Sequence, residues 1–272
     1  ITTTDQDGVR TLCFDRPAKL NGWTFEMMQS LSSNLSQAAS DDSIKVVILT
    51  GSDPYYCAGV NLAGSMKLSH PKKLKSDIVA HNQELFEQFL KFPKPILGAV
   101  NGPAIGAAVT SATLCDAIIA SEKATFSTPF AKLGVAREGC SSVLFAELMG
   151  EENAERMLGS QGWVPTGQEA LEAGLVQWCV SHEKLLQEAQ KIASDWAESS
   201  RPRTLRGSRS LDELISVNAR ESIEVADSFL DEPFLMGQFR FLWNKKKKGP
   251  ALMFFALAVC TSAGQFLDDL DI

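Results

Sequence analysis

Two stretches of small residues in this chain could place backbone N–H groups where they stabilise negative charge. In residues 95–110, an apolar strand from Ile96 to Val100 stops sharply at Asn101-Gly102-Pro103, and small residues from Ala104 onward open a helix. The first N–H groups of a helix have no partner within it and carry partial positive charge. Gly106 and its neighbours lack bulk, so another group can approach this backbone closely. The same residues also fit an ordinary strand–helix junction, and this stretch alone leaves both interpretations open.

An earlier stretch repeats the pattern. The β-branched run Val46 to Thr50 predicts a buried strand, which a turn connects to the small pair Ala58-Gly59. Two such turns after parallel strands can each aim one N–H group at a common point. A developing oxyanion requires this arrangement, two preorganised donors in a pocket that excludes water.

Other segments indicate the elements that must hold these turns. Thr24 can cap a helix that runs through Ala39 with Met27, Met28, Leu31 and Leu35 on one face. Thr166 can cap a short helix that Gly174 stops. Further helices are predicted near residues 74–91, 185–198, 221–230 and 235–243, and short strands near 116–120, 124–127 and 176–180. The tail from Gly249 onward receives no assignment.

The two turns together resemble the enoyl-CoA hydratase/isomerase (crotonase) family. Tyr56-Cys-Ala-Gly-Val-Asn-Leu62 follows the family pattern Phe/Tyr-x-Ala/Ser-Gly-x-Asp/Asn-Leu, and the segment from Asn101 follows Asn-Gly-x-x-x-Gly-Gly/Ala before Cys115-Asp116. The resemblance extends from about Val9 to Lys248. It implies an α/β fold, a crotonase-like spiral of ββα units with a C-terminal helical trimerisation region. We expect the spiral core over residues 1–200 and the helical region over residues 201–272.

Glu138 decides between the chemistries that this resemblance allows. Hydratases of the family carry two glutamates at positions that Thr110 and Phe130 occupy here. Water addition across a double bond needs such a pair to orient water and exchange protons with it. This chain instead offers Glu138, just before a helix that Ser141 or Ser142 would cap. That arrangement is similar to the peroxisomal type of Δ3,Δ2-enoyl-CoA isomerase, in which one glutamate of this segment is the sole base.

One base suffices for the isomerisation. A thioester carbonyl held by two N–H donors makes the C2 proton of a 3-enoyl-CoA acidic, and the carboxylate that removes it can return it to C4. An apolar surrounding of Phe130, Leu133 and Val135 would raise the pKa of Glu138 toward working pH. The alternative is that Glu138 only opens a helix, where acidic residues favour the dipole.

The resemblance also implies a set of substrate contacts. Ala58 and Ala107 align as the two oxyanion donors, and Lys19, in a turn after Pro17, aligns near the nucleotide part of CoA, although a solvated turn lysine is an equal alternative. Lysines near residues 67–75 and the run Lys245–Lys248 are open to the same two interpretations. The remaining expected substrate contacts are Gly59, Val60, Asn61, Leu62, Gly106, Phe130 and Leu133.

Composition excludes several other classes. The 272 residues are 44% hydrophobic and 22% charged, enough for a large core, and the net charge of −7 argues against a nucleic-acid binder. Six cysteines without a CxxC pair and three scattered histidines favour neither disulfides nor a metal site, and a reducing compartment is the default. The longest apolar run, residues 251–260, is half a membrane span, so it should pack on protein. Because the chain starts at Ile1 rather than Met, a targeting segment or another domain could precede it.

The sequence therefore predicts a Δ3,Δ2-enoyl-CoA isomerase of unsaturated fatty acid β-oxidation, with no cofactor beyond the CoA of its acyl-CoA substrate. The competing functions are enoyl-CoA hydration, thioester hydrolysis or dehalogenation on the same scaffold, and a non-catalytic acyl-CoA-binding domain such as occurs in chromatin proteins. We expect a homotrimer or a dimer of trimers. The expected compartment is the mitochondrion or the peroxisome, with the mitochondrion preferred because Leu270-Asp-Ile272 is not a Ser-Lys-Leu signal.

Overall fold

The computed structural model describes residues 1–61 and 69–268, with side chains described to residue 261. Its main sheet has six strands in the order β1-β2-β3-β4-β6-β8, and two short strands, β5 and β7, pair separately. β1 is antiparallel to β2, and every other pair is parallel. The strands are β1 Thr2–Gln6, β2 Val9–Phe14, β3 Val46–Gly51, β4 Ile96–Val100, β5 Ala104–Ile105, β6 Ala117–Ser121, β7 Phe126–Ser127 and β8 Trp178–Val180.

Helices cover both faces of this sheet. In the described ranges they are α1 Phe25–Ser40, α2 Pro71–Leu90, α3 Ala107–Thr113, α4 Phe130–Leu133, α5 Ser141–Leu158, α6 Gly167–Glu172, α7 Leu185–Glu198, α8 Leu211–Leu230, α9 Glu232–Asn244 and α10 Lys248–Asp268. Side chains alternate along a strand, and β3 shows the consequence. Val47 and Leu49 enter the larger core, whereas Val46 and Ile48 pack with α7 in a smaller one.

The predicted helix caps are partly confirmed. Thr24 Oγ1 accepts from Met27 N at 3.4 Å at the start of α1, and Thr166 forms a capping box with Glu169 before α6. The helix predicted to open at Ala104 begins instead at Ala107. Ala104 and Ile105 form β5, because Ala104 N and Gly106 N donate to Thr125 O and Ser127 O beside them.

The C-terminal region is helical from Leu211 to Asp268 apart from short connections, whereas residues 201–210 form a segment without helix. α8 packs on α2, and α9 packs on α10, which the sequence did not predict. The expectation that residues 251–260 pack on protein is confirmed for one face, where Ala251, Phe254 and Leu257 are buried. The opposite face leaves Leu252, Phe255 and Val259 exposed. None of the helices in the described ranges is long and apolar enough to cross a membrane.

Candidate active site

A cavity of about 250 Å³ lies where the turns after β3 and β4 meet α2 and the segment before α5. Its walls are mostly apolar. The turns contribute Ala58, Gly59, Val60, Ile105, Gly106 and Ala107, the helices α1 and α2 contribute Phe25, Met28, Ile78, His81, Asn82 and Leu85, and later segments contribute Pro129, Phe130, Leu133, Val135, Glu138 and Phe229.

The two turns are joined directly through their backbones. Ile105 N donates to Cys57 O at 3.0 Å, which sets the turn after β3 against the start of β5. Gly59 has a φ of +81°, and a Cβ atom there would lie 2.8 Å from Ile105 O. Only glycine combines this backbone conformation with so close an approach. The two turns are therefore in direct contact, and the convergence of their N–H groups on one point stays a prediction.

One of the two predicted oxyanion donors does not fit the geometry. Ala58 N donates to Leu20 O at 3.0 Å, so this N–H group is already paired. The loop before α1 lies over the turn, and the Leu20 carbonyl accepts the hydrogen bond that the resemblance assigned to an oxyanion.

Val60, two residues further on, has the free N–H group. Trp23 N donates to Gly59 O at 2.9 Å and Asn61 N donates to Trp23 O at 2.8 Å. In such a parallel bridge the N–H group of the intervening residue points away from the partner strand. Val60 N accordingly has no acceptor within the part of the chain that the structure describes, and Val60 lines the cavity.

Ala107 retains the position that the sequence predicted. It is the first residue of α3, follows Gly106 with a φ of +59°, and lines the cavity. The N–H group of a first helical residue has no partner within the helix, and Ala107 N bonds to nothing else in the described ranges. The N–H groups of Val60 and Ala107 thus both lack an acceptor in the described ranges, and both residues line the cavity.

Glu138 lies in the same wall and is 8% exposed. Burial raises the pKa of its carboxyl group to about 7, the hydrogen bond from Asn82 opposes this rise, and the nearby charge of Glu221 adds to it. Among the described residues that line the cavity, Glu138 is the one carboxylate. The expectation that an apolar pocket raises its pKa agrees with this environment.

Asn82 is a site residue that the sequence did not single out. Its Nδ2 donates to Glu138 Oε2 at 2.8 Å, and its Oδ1 accepts from Ser222 Oγ at 2.8 Å. Because an ionised carboxylate can only accept, the Nδ2 end of the amide faces Glu138 and the Oδ1 end faces the serine. A signal was available, since Asn82 interrupts the apolar face that Ile78, Leu85 and Phe86 form on α2.

The helix after Glu138 is not capped as predicted. Its N-cap residue is Cys140, with a φ of +62°, and neither Ser141 nor Ser142 caps it. Glu221 of α8 takes the role, because its carboxylate accepts from Cys140 N at 2.7 Å and from Ser142 N at 3.0 Å. A carboxylate satisfies two of the free N–H groups, so no local hydroxyl is needed.

The remaining predicted contacts fall into three groups. Gly59, Gly106 and Phe130 line the cavity, as does Leu133, which is 44% exposed at its edge. Asn61 and Lys19 are exposed and outside the lining, so their contacts with substrate stay predictions. Leu62 lies outside the described residues, as does Lys67.

The lysine clusters have local partners. Lys73 pairs with Asp77 at 2.8 Å, and Lys75 pairs with Asp227. Lys248 Nζ lies 5.7 Å from the centre of the Trp243 ring, between α9 and α10. A contact of these lysines with CoA stays a prediction. No group of three or more His, Cys, Asp or Glu residues in the described ranges is placed to hold a metal ion.

Comparison with known proteins agrees with this geometry. Residues 4–234 match the family described as enoyl-CoA hydratase/isomerase. The chain is 32% identical over 263 residues to "Enoyl-CoA delta isomerase 3, peroxisomal" of Mus musculus, covering 91% of this chain and 79% of that protein. It is 34% identical over 256 residues to "Enoyl-CoA delta isomerase 2" of Homo sapiens, covering 91% of this chain but only 64% of that longer protein.

A solved structure gives the same fold. The enoyl-CoA hydratase/isomerase of Pseudoalteromonas atlantica T6c superposes with a TM-score of 0.75 at 25% identity, covering 90% of this chain and 96% of that one. The crotonase-like α/β fold expected from the sequence is therefore confirmed. This chain belongs to the enoyl-CoA hydratase/isomerase family.

Proposed function

We propose that this protein is a Δ3,Δ2-enoyl-CoA isomerase, which converts a 3-enoyl-CoA to the trans-2-enoyl-CoA during oxidation of unsaturated fatty acids. One observation carries the proposal. Glu138 is a buried carboxylate whose pKa is about 7, in an apolar cavity where no second carboxylate accompanies it among the described residues. A base with a pKa near the working pH is suited to both accept and return a proton.

In the proposed mechanism the substrate carbonyl lies against the N–H groups of Val60 and Ala107. Val60 replaces Ala58 as the first donor, because the Ala58 N–H group is bonded to Leu20 O. Two donors aimed at the thioester oxygen stabilise the negative charge of a dienolate. Glu138 takes the proton from C2, and the double bond shifts from C3–C4 to C2–C3. The same carboxyl group then returns the proton to C4. Atoms and charge balance without a cofactor, since CoA belongs to the substrate.

Asn82 orients the base in this mechanism. Its amide donates to one carboxylate oxygen of Glu138 and leaves the other free for the substrate proton. Hydration, the other activity in the family's name, is disfavoured on this site. Thr110 and Phe130 stand where the resemblance places the two hydratase carboxylates, and Thr110 is buried with its hydroxyl donating to Ala107 O at 3.3 Å.

We extend the proposal to assembly and location. A homotrimer, or a dimer of trimers, would cover the apolar side chains that α8 to α10 leave exposed, such as Ile223, Phe241 and Leu252. Unsaturated fatty acids are oxidised in mitochondria and peroxisomes, and either compartment would supply the substrate.

The test uses the purified protein with two thioesters. Incubation with 3-hexenoyl-CoA should increase the absorbance of the conjugated thioester, whereas crotonyl-CoA should lose little of that absorbance, because hydration lacks its second carboxylate. Rapid loss of crotonyl-CoA absorbance would instead support a hydratase. No reaction with either thioester, together with measurable acyl-CoA binding, would support a non-catalytic domain.

A further inference from the structure

Glu221 of α8 is a buried carboxylate that the proposed proton transfer does not use. It is 0% exposed, and its two oxygens accept from Cys140 N at 2.7 Å and Ser142 N at 3.0 Å. Carboxylates are seldom buried this completely unless strong partners offset their desolvation. Both partners belong to one turn, the turn that begins with Glu138.

This turn needs a support from outside itself. Gly139 and Cys140 both have left-handed backbones, with φ of +65° and +62°, and cysteine adopts that conformation rarely. No side chain of α5 caps its start, and the Ser141 hydroxyl is buried without a partner in the described part of the chain. The Glu221 carboxylate supplies the bonds that the turn's own residues leave unmade.

The next residue of α8, Ser222, contacts the side chain of Glu138 through Asn82. Ser222 Oγ donates to Asn82 Oδ1, and Asn82 Nδ2 donates to Glu138 Oε2. Two consecutive residues of α8 thus act on the base. Glu221 binds the turn that carries Glu138, and Ser222 binds Asn82, which binds the Glu138 carboxylate. We propose that Glu221 is a positioning residue for Glu138, which it fixes through the two N–H bonds to the turn; this rests on the proposed function of Glu138 as the base.

A second consequence follows from the charge of Glu221. The other titratable groups that act on it or on its neighbours are Glu138 and Cys140 on the turn and Arg220 on its own helix. The Lys75–Asp227 ion pair lies further along α2 and α8. Burial raises the pKa of the Glu221 carboxyl group, and the hydrogen bonds from Ser142 and Cys140 oppose this rise. The ionised form of Glu221 disfavours ionisation of Glu138 and so raises the pKa of Glu138.

The sign of the resulting pH effect is fixed. Glu138 acts as a base only when ionised, so turnover rises as pH increases through its pKa. Removing the charge at position 221 lowers the pKa of Glu138 and moves this acidic limb of kcat/KM to lower pH. A role confined to stability would leave the limb where it is.

Three variants separate position from charge. Glu221→Gln removes the charge and one of the two acceptors, and Glu221→Asp keeps the charge on a shorter side chain. Glu213→Gln removes a charge at the start of the same helix, away from the cavity, at a position where glutamine can keep the capping box. We expect Glu221→Gln to lower kcat about tenfold or more with KM within about threefold, as small misplacements of a catalytic group do, and to move the limb to lower pH. Glu221→Asp should lower kcat with the limb unmoved, and Glu213→Gln should change only the melting temperature.

A titration without substrate keeps this test independent of the activity. In protein labelled with ¹³C at glutamate carboxyl carbons, the Glu138 signal is the one missing from Glu138→Gln, and its midpoint should be lower in Glu221→Gln than in wild type. An unchanged midpoint, or wild-type kcat in Glu221→Gln, overturns the proposal. If Glu221→Gln does not fold, wild-type kcat in Glu221→Asp overturns it instead. Absence of isomerase activity in the wild-type protein refutes the proposed function but leaves the titration as the test of coupling.

Discussion

Replacing Asn82 with alanine should lower the ionised fraction of Glu138 at pH 7 without changing the base itself. The hydrogen bond from Asn82 Nδ2 to Glu138 Oε2, at 2.8 Å, favours the ionised carboxylate in a buried site. A hydrogen bond to a charged group contributes about 1.5–3 kcal/mol, and one pKa unit corresponds to about 1.4 kcal/mol. Its loss should therefore raise the pKa of Glu138 by about one to two units above its value of about 7.

The consequence for turnover depends on pH. The ionised fraction of Glu138 at pH 7 should fall from about half to between about a tenth and a hundredth, so kcat/KM should fall by about 5–50-fold. Near pH 9 about half or more of the activity should return, because at least about half of the base is then ionised. The assay is the pH profile of kcat/KM on 3-hexenoyl-CoA.

A matched control is available on α5. Asn153→Ala removes an amide that donates to Met149 O at 3.1 Å, outside the cavity, and should leave the profile unchanged. An Asn82→Ala enzyme whose acidic limb stays in place would refute the reasoning. So would a loss of rate that is the same at every pH, since it would mean that Asn82 does not favour the ionised form of Glu138.

Three further predictions concern stability, the oxyanion site and assembly. Burial raises the pKa of Glu138 from 4.5 to about 7, so the folded state holds a proton that the unfolded state releases, and wild-type stability should fall as pH rises between these values. Glu138→Gln should remove up to about 3 kcal/mol of this loss at pH 8. The measurement is the free energy of unfolding in urea for both proteins at pH 5 and pH 8. A difference between the two proteins that does not grow with pH would contradict the prediction. Ala107→Pro removes an N–H group at the first position of a helix, where proline is tolerated, so the variant should fold yet lose about 3–4 kcal/mol of transition-state stabilisation. A folded variant with near-normal turnover would exclude Ala107 as a donor. The control is Ala107→Ser, which keeps the N–H group. Light scattering at micromolar concentration should give the mass of a trimer or hexamer, and a monomer would contradict the proposed assembly.

The sequence predicted the parts of the site that lie in local patterns. The strands β3 and β4 and the turns that follow them are specified by short runs of apolar and small residues, whereas the start of α3 was predicted three residues too early. Glu138 could be found because it stands in the short segment before α5 where the resemblance places the isomerase base. These signals are contained in segments of a few residues, and the fold places them as expected.

Contacts between distant segments were not predictable in the same way. Whether the Ala58 or the Val60 N–H group is free depends on Leu20 and Trp23, which meet this turn only after folding. The cap of α5 comes from Glu221, 81 residues from Cys140 along the chain. Local propensity favoured Ser141 or Ser142 for that cap, and a buried carboxylate from another helix took their place.

The most direct test of the central claim is the turnover of Glu138→Gln on 3-hexenoyl-CoA. Glutamine keeps the size of the side chain and can still accept the bond from Asn82, but it cannot accept the C2 proton. We predict that kcat falls by about 10²–10⁴-fold, the usual contribution of a general base, while KM and the fold are retained. Glu138→Asp, which keeps a carboxylate, should retain more activity than Glu138→Gln. A Glu138→Gln enzyme whose kcat stays within about threefold of wild type would contradict the single-base mechanism.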